Sequence, residues 1–372
     1  VGYDFPKENI AMGTPVAGPV FQQSLQDRER LRKKGIFLKW CSIAVLLLGV
    51  AGSVIVGFTL TDVINSNDWG GFLLAAPVAV SGGIWYSLYA RSKRCLALSA
   101  QDVLAHDTRP PVIYLRSFKD DGKNVRTFKN SFPLWRVLHP MKLWGSVLNA
   151  FDTRTEEEVL AEVLHQIGPV VGIGRPGEKL PQLGAARVYV DDDHWQETVH
   201  SFLSRAGLVV LRLGKTPGFF WEVEQSTVKM NPTRLIVLVP LSHRKYDQFC
   251  ERAATHFPKG LPAYKCSQMR RLFGANLLGN LKAMIYFEPD WTPVFVDLAR
   301  IRWPWKYKLR MAGRRDLLNA YDWALQPVYK QLAVTWEPPA YTPGRVATVL
   351  YKSVPLLLLA GLVVLIAVVS MR

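Results

Sequence analysis

Cysteine is scarce: Cys41, Cys95, Cys250 and Cys266 are the only four in 372 residues, and no two are spaced C-x-x-C. At roughly 150 residues per domain the chain has room for two or three units, which excludes a disulfide-stapled miniprotein. Neither a disulfide framework nor a zinc finger is indicated, and Cys250, His256 and Cys266 fit no finger pattern. Acid is also in short supply. Thirty Asp and Glu stand against 46 Lys and Arg, a formal charge of +16. Yet 49% of residues are hydrophobic, 20% are charged and the mean hydropathy is +0.06. That apolar content excludes a disordered chain and exceeds that of an ordinary soluble basic protein. A basic surplus suggests nucleic acid and an apolar surplus suggests lipid, so the location of each along the chain decides between them.

Charge is absent from three stretches. Trp40 to Leu60 holds none in 21 residues, enough at about 1.5 Å per residue to cross a hydrocarbon core of about 30 Å. Gly71 to Ala90 is of similar length. Val354 to Ser370 is shorter, but Thr348 to Tyr351 extend it and Lys352 can snorkel. Three membrane helices are expected. The polar stretch before the first, including Asp27 to Lys34, does not fit a cleaved signal peptide. Arg28, Arg30, Arg32, Lys33, Lys34 and Lys39 precede the first helix, and Arg91, Lys93 and Arg94 follow the second. The intervening loop has Asp62 and Asp68 but no Lys or Arg. The positive-inside rule then puts the N-terminal segment and everything after Ala90 in the cytoplasm. The expectation is a multi-pass inner (plasma) membrane protein with a helical hairpin over 36–94, a C-terminal helix over 346–372 and its main domain cytoplasmic. Small residues recur every fourth position, at Gly49, Ser53 and Gly57 and at Ala75, Ala79 and Gly83. Such faces suit helix packing, within the hairpin or in a homo-oligomer. The spans contain no Asp, Glu, Arg or His, which argues against a transporter and leaves a simple anchor or an oligomeric pore.

Between Pro110 and Pro240 the pattern becomes short apolar runs alternating with helical segments. Val112 to Leu115, Pro169 to Ile173, Leu208 to Leu213 and Arg234 to Val239 read as strands, with Ala186 to Val190 a further short one. Helices are expected over Thr155 to Ile167, with three Glu in the first turn, over Asp192 to Ala206, and over about Phe219 to Lys229. Strands alternating with helices indicate a doubly wound α/β domain, set over 110–299, around a parallel sheet. Ligands in such sheets bind beyond the carboxyl ends of the strands, which directs attention to Arg116–Gly122, Gly174–Gly184 and Gly214–Gly218. Gly172, Gly174 and Gly177 match G-x-G-x-x-G, but Pro181 follows and no helix opens. A loop covering a phosphate or ribose fits better than a dinucleotide fingerprint.

The stretch Val112 to Asp121 (VIYLRSFKDD) resembles the opening strand and loop of TIR domains. Phe202 to Pro240 resembles their later half: a helix ending near Ser, a buried strand, a loop, a helix carrying Trp then Glu, and a strand ending in Pro. It is similar also to nucleoside 2-deoxyribosyltransferase-like domains, whose helix opens with Gly and carries Glu four residues on, as Gly218 and Glu222 do. The spacing differs from TIR NADases, since Glu222 follows Trp221 directly and Gln225 stands where their Glu would. The resemblance implies a flavodoxin-like (TIR-like) fold and N-glycosidic chemistry on NAD or a nucleotide, as substrate or ligand, with no permanently bound cofactor or metal. Glu222 is the implied catalytic residue: a carboxylate near the ribose stabilises an oxocarbenium-like state or activates the attacking group. An alternative is a helix-dipole role for Glu222. Arg116, Ser117, Asp120, Gly174, Arg175, Gly214, Gly218 and Trp221 are the candidate ligand contacts.

Two further segments combine aromatics with cations. Ser131 to Phe151 carries Trp135 and Trp144 and suits a helix at a bilayer interface, a lid or core packing. Arg300 to Arg315 interleaves Arg302, Trp303, Trp305 and Lys306. Beside a cytoplasmic leaflet this composition fits anionic headgroups better than nucleic acid. The helical pattern from Asp316 to Ala333 and the prolines at 338, 339 and 343 lead to the last span.

Overall fold

The structure, a computed structural model, describes residues 25–59, 70–117, 155–174, 183–190, 194–265, 280–298 and 314–336. Helices α1 (Leu25–Thr59) and α2 (Gly70–Cys95) form an antiparallel pair. Glycine lets them close. A Cβ at Gly49 would stand 1.8 Å from Ser81 Oγ, and one at Gly35 would stand 2.8 Å from the Leu96 side chain. The buried Ser92 hydroxyl donates to the Gly35 carbonyl at 2.8 Å. Gly49 thus serves the packing face as expected, whereas its partners are Ser81 and Pro77 and a Cβ at Gly83 would meet nothing within 4 Å. Among the described residues one helix, over Glu29–Thr59, is long and apolar enough to cross a membrane, against the three expected. Only 11% of its apolar window is buried, unlike the core helix of a soluble protein. The second expected span is α2, and the third lies outside the described residues.

After α2 the chain enters α3 (Ala100–His106), which starts where Ser99 and Asp102 form a reciprocal capping box. Seven strands follow: β1 (Val112–Arg116), β2 (Val170–Gly174), β3 (Ala186–Tyr189), β4 (Leu208–Arg212), β5 (Leu235–Val239), β6 (Ala283–Phe287) and β7 (Pro293–Asp297). They make one sheet in the order β3-β2-β1-β4-β5-β6-β7. The first five are parallel, while β6 runs antiparallel to β5 and β7 antiparallel to β6. This is a mixed α/β fold with a mostly parallel sheet, which corrects the wholly parallel sheet expected. The β6–β7 hairpin needs no crossover helix, so the βα alternation that revealed β1, β2, β4 and β5 was silent there.

The central strands are apolar on both sides because both faces are covered. On one face lie α5 (Trp195–Arg205), α6 (Pro217–Lys229) and α7 (His243–Ala253) over Ile113, Leu115, Val209, Leu211 and Val237. On the other lie α4 (Glu156–Leu164) and α8 (Arg314–Gln331) over Val112, Tyr114, Leu208, Val210 and Ile236. Helix α8 is a core element, with Leu325 and Val328 fully buried, rather than a tether to a last span. Helix α4 begins at Thr155, whose hydroxyl accepts from the Glu158 amide while the Glu158 carboxylate accepts from the Thr155 amide.

Candidate functional site

The strand order reverses between β1 and β4: the chain proceeds from β1 outward to β2 and β3, then returns to β4 on the other side of β1. A crevice beyond the carboxyl ends of two such strands is where doubly wound sheets bind ligands. Here those ends are Arg116–Ser117 and Arg212–Gly214. The two loops press together, since a Cβ on Gly214 would come within 2.5 Å of the Ser117 Cβ. Gly214 is therefore required by a close approach of loops.

Helix α6 enters this crevice from one face. Pro217 stands at its first position, preset for the helix, and the Thr216 side chain makes no capping bond to the free amides. One turn on, Glu222 points inward and is 5% exposed. Its Oε2 is buried and has no hydrogen-bond partner among the described residues. Burial alone pushes its carboxyl from an ordinary 4.5 up to about 8, so at neutral pH it is largely an uncharged acid. Trp221, on the adjacent face, stands edge-on to Trp195 at 4.8 Å and to His200 at 5.2 Å. The Gly218 Cα lies under the same Trp195, but a Cβ there would meet the ring at an ordinary 3.7 Å. Glu224 is exposed and takes no part.

From the other face α4 brings its acidic first turn. Arg116 and Arg212 are register partners on β1 and β4 and share a side of the sheet, a juxtaposition of like charges that must be neutralised. Consecutive carboxylates do so. Arg116 donates to Glu157 at 2.6 Å, and Arg187 from β3 donates to the other Glu157 oxygen at 2.9 Å. Arg212 donates to Glu156 at 3.3 Å. Glu156 also accepts from the Leu281 amide at 2.7 Å and the Tyr321 hydroxyl at 2.9 Å. Burial, reinforced by the Glu156 charge, holds that phenol well above its ordinary range, which keeps Tyr321 a donor. Among the described residues three guanidiniums thus share two carboxylates.

The structure packs Ser117 against Gly214 at the carboxyl ends of β1 and β4 and sets Gly218 and Trp221 beside Trp195 of α5, with Glu222 buried on α6. It engages Arg116 with Glu157, so Arg116 is already part of a buried ion pair. It places Gly174 at the end of β2, where a Cβ would fall 2.4 Å from the Tyr189 ring of β3. Sheet packing thus accounts for that glycine. Asp120, Arg175, Trp135, Trp144, Arg302, Trp303, Trp305 and Lys306 lie outside the described residues. Glu156, Glu157, Arg187 and Arg212 were not among the residues singled out. The available signal was two buried strands, VIYLR and LVVLR, each ending in Arg. A charge at the end of a buried strand demands a partner, and the Glu triplet is one of the acidic runs that could supply it, with Asp120–Asp121 and Asp191–Asp193 the others.

Comparison with family models, with characterised proteins and with solved structures gives no match. The functional reading therefore rests on this geometry.

Proposed function

We propose that the chain is a membrane-anchored protein with a cytoplasmic TIR-like or nucleoside deoxyribosyltransferase-like domain. It binds NAD or a nucleotide in the β1–β4 crevice and cleaves the N-glycosidic bond, in a bacterial signalling or defence setting. The observation that carries this is Glu222: a buried acid on α6 whose Oε2 has no hydrogen-bond partner among the described residues. Leaving such a group unsatisfied costs about 1–3 kcal/mol, a cost more often met at functional sites than elsewhere. Buried as it is, the acid is largely neutral at pH 7. As the N-glycosidic bond breaks, the acid would give its proton to the departing base, the carboxylate left behind would stabilise the oxocarbenium-like ribose, and water adding to the anomeric carbon would return the proton. The Glu156–Glu157 cluster fixes the strand ends around the crevice from the opposite face.

The anchor consists of the α1–α2 hairpin, oriented by the basic residues at its base, with the apolar segment at 346–372 as a third span. Close glycine packing inside the hairpin leaves its outer surface for lipid or a second copy of the chain. The test is turnover of NAD and of nucleosides by the purified chain, with and without candidate activating nucleotides. Turnover that disappears in Glu222→Gln supports the proposal; absence of turnover, or turnover unchanged in that variant, removes the enzymatic part.

A second reading, a non-enzymatic receptor whose α/β domain moves the membrane helices on binding, is favoured by one observation. Glu158, next to the two carboxylates that hold Arg116 and Arg212, pairs with Lys93 at the base of α2. Ligand-dependent conductance or dye release that survives Glu222→Gln would select it.

A further inference from the structure

We infer that the carboxyl edge of the sheet, with its crevice, is apposed to the bilayer, so that an anionic phospholipid surface is the partner of this edge. The inference rests on the membrane-anchored reading. It comes from tracing the chain backward from β1. Helix α3 rises along the β3 edge of the sheet, Ala100 entering the core and Ser99 bridging to Arg187. Six residues earlier Lys93 has reached the level of the strand ends, where it pairs with Glu158 in the first turn of α4. Before Arg91, α2 carries no charge back to Gly70. The hairpin therefore joins the domain at the level of the carboxyl edge.

Connectivity points the same way. At the amino edge the connections 107–111, 165–169, 206–207, 230–234 and 288–292 are short. The described residues that flank 118–154, 266–279 and 299–313 lie at the carboxyl edge. Ser117 and Thr155 flank the first, Asn280 contacts Glu156, and Leu298 follows the end of β7. At the end of α8 the chain turns at Ala333, in a left-handed conformation, and doubles back. The Trp336 indole N–H then donates to the Asp322 carboxylate at 2.9 Å, near the first half of α8. As far as Trp336 the described chain thus runs back along α8 toward the carboxyl edge. Exposed cations alone do not choose between the edges, because Lys215 lies at one and Arg234 at the other. The path of the chain does choose.

A ligand of the crevice would then be captured at the membrane surface. The test uses the two ends of one helix: positions 215 and 234 flank the 13-residue α6 and are about 20 Å apart along its axis. A fluorescent amino acid is placed at one or the other in the full chain. The protein is reconstituted in nanodiscs containing anionic phospholipid and a headgroup spin label. Quenching several-fold stronger at 215 than at 234 is the expected result. Equal quenching, or stronger quenching at 234, overturns the orientation. Flotation of the same preparation with vesicles separates the two levels: a chain that fails to float refutes the membrane anchor itself, whereas one that floats with equal quenching refutes only the orientation. Both positions are exposed, and a melting temperature equal to wild type confirms that each labelled chain is folded.

Discussion

Replacing Glu222 by Gln keeps the shape of the side chain and removes its ability to ionise, which isolates the energetic consequence of burying the acid. In the folded protein the carboxyl is raised by burial from 4.5 to about 8. Between those limits the unfolded chain has released this proton and the folded chain still holds it, so the folded state binds more protons and stability falls as pH rises. The stability tied to the neutral acid is fully present below 4.5 and is lost as pH rises through about 8. At about 1.4 kcal/mol per pH unit the interval amounts to roughly 5 kcal/mol as an upper bound, since water reaching the ionised carboxylate lowers it. Unfolding of wild type and Glu222→Gln is followed in detergent, without ligand, from pH 5 to pH 9. Other titrating groups are common to both proteins and cancel in the difference. The Gln variant should match wild type near pH 5 and gain on it steadily, with the difference levelling off above pH 8. A difference independent of pH would refute the claim that this acid is buried and uncharged.

Glu157→Gln leaves Arg116 and Arg187, both buried, without their carboxylate, and should cost about 3–5 kcal/mol in an unfolding titration. Glu158→Gln retains an acceptor for the helix cap and loses only the partly exposed pair with Lys93, so it should cost no more than about 1 kcal/mol. Gly174→Ala drives a methyl into the Tyr189 ring and should lower stability by about 1–3 kcal/mol. Gly218→Ala meets Trp195 at ordinary contact distance, and melting should move by no more than about 0.5 kcal/mol equivalent.

The parts of the fold that were legible in the sequence are those with local signals. VIYL, LVVLRL and RLIVLV announce strands covered on both faces, and TEEEVLAEVLHQI announces a capped amphipathic helix. The β6–β7 hairpin was not legible, because AMIYF and PVFVD lack both the crossover helix and the tight two-residue turn that mark strands locally. Helix α8 was read as a helix but not as core, since its partner is α4, more than 150 residues earlier in the chain. At the site, Glu222 was legible through its spacing from Gly218. Its isolation was not, since that depends on what the sheet and neighbouring helices leave around it. The Glu triplet suggested a helix dipole; only the fold reveals that Glu156 and Glu157 close on arginines from three strands. At Gly174 the sequence does not reveal the ring packing, since a glycine that lies against Tyr189 looks in sequence like one that approaches a phosphate.

The central claim is that a buried acid on α6 performs N-glycosidic chemistry in the β1–β4 crevice. The most direct measurement is the release of base or nicotinamide from nucleosides and NAD by the full chain in lipid vesicles, comparing wild type, Glu222→Gln and Glu224→Gln. The account predicts turnover by wild type, a loss of about 100-fold or more in Glu222→Gln, as for removal of a catalytic acid or base, and wild-type rates in the exposed Glu224→Gln. No turnover by wild type, or equal rates in all three proteins, would contradict it.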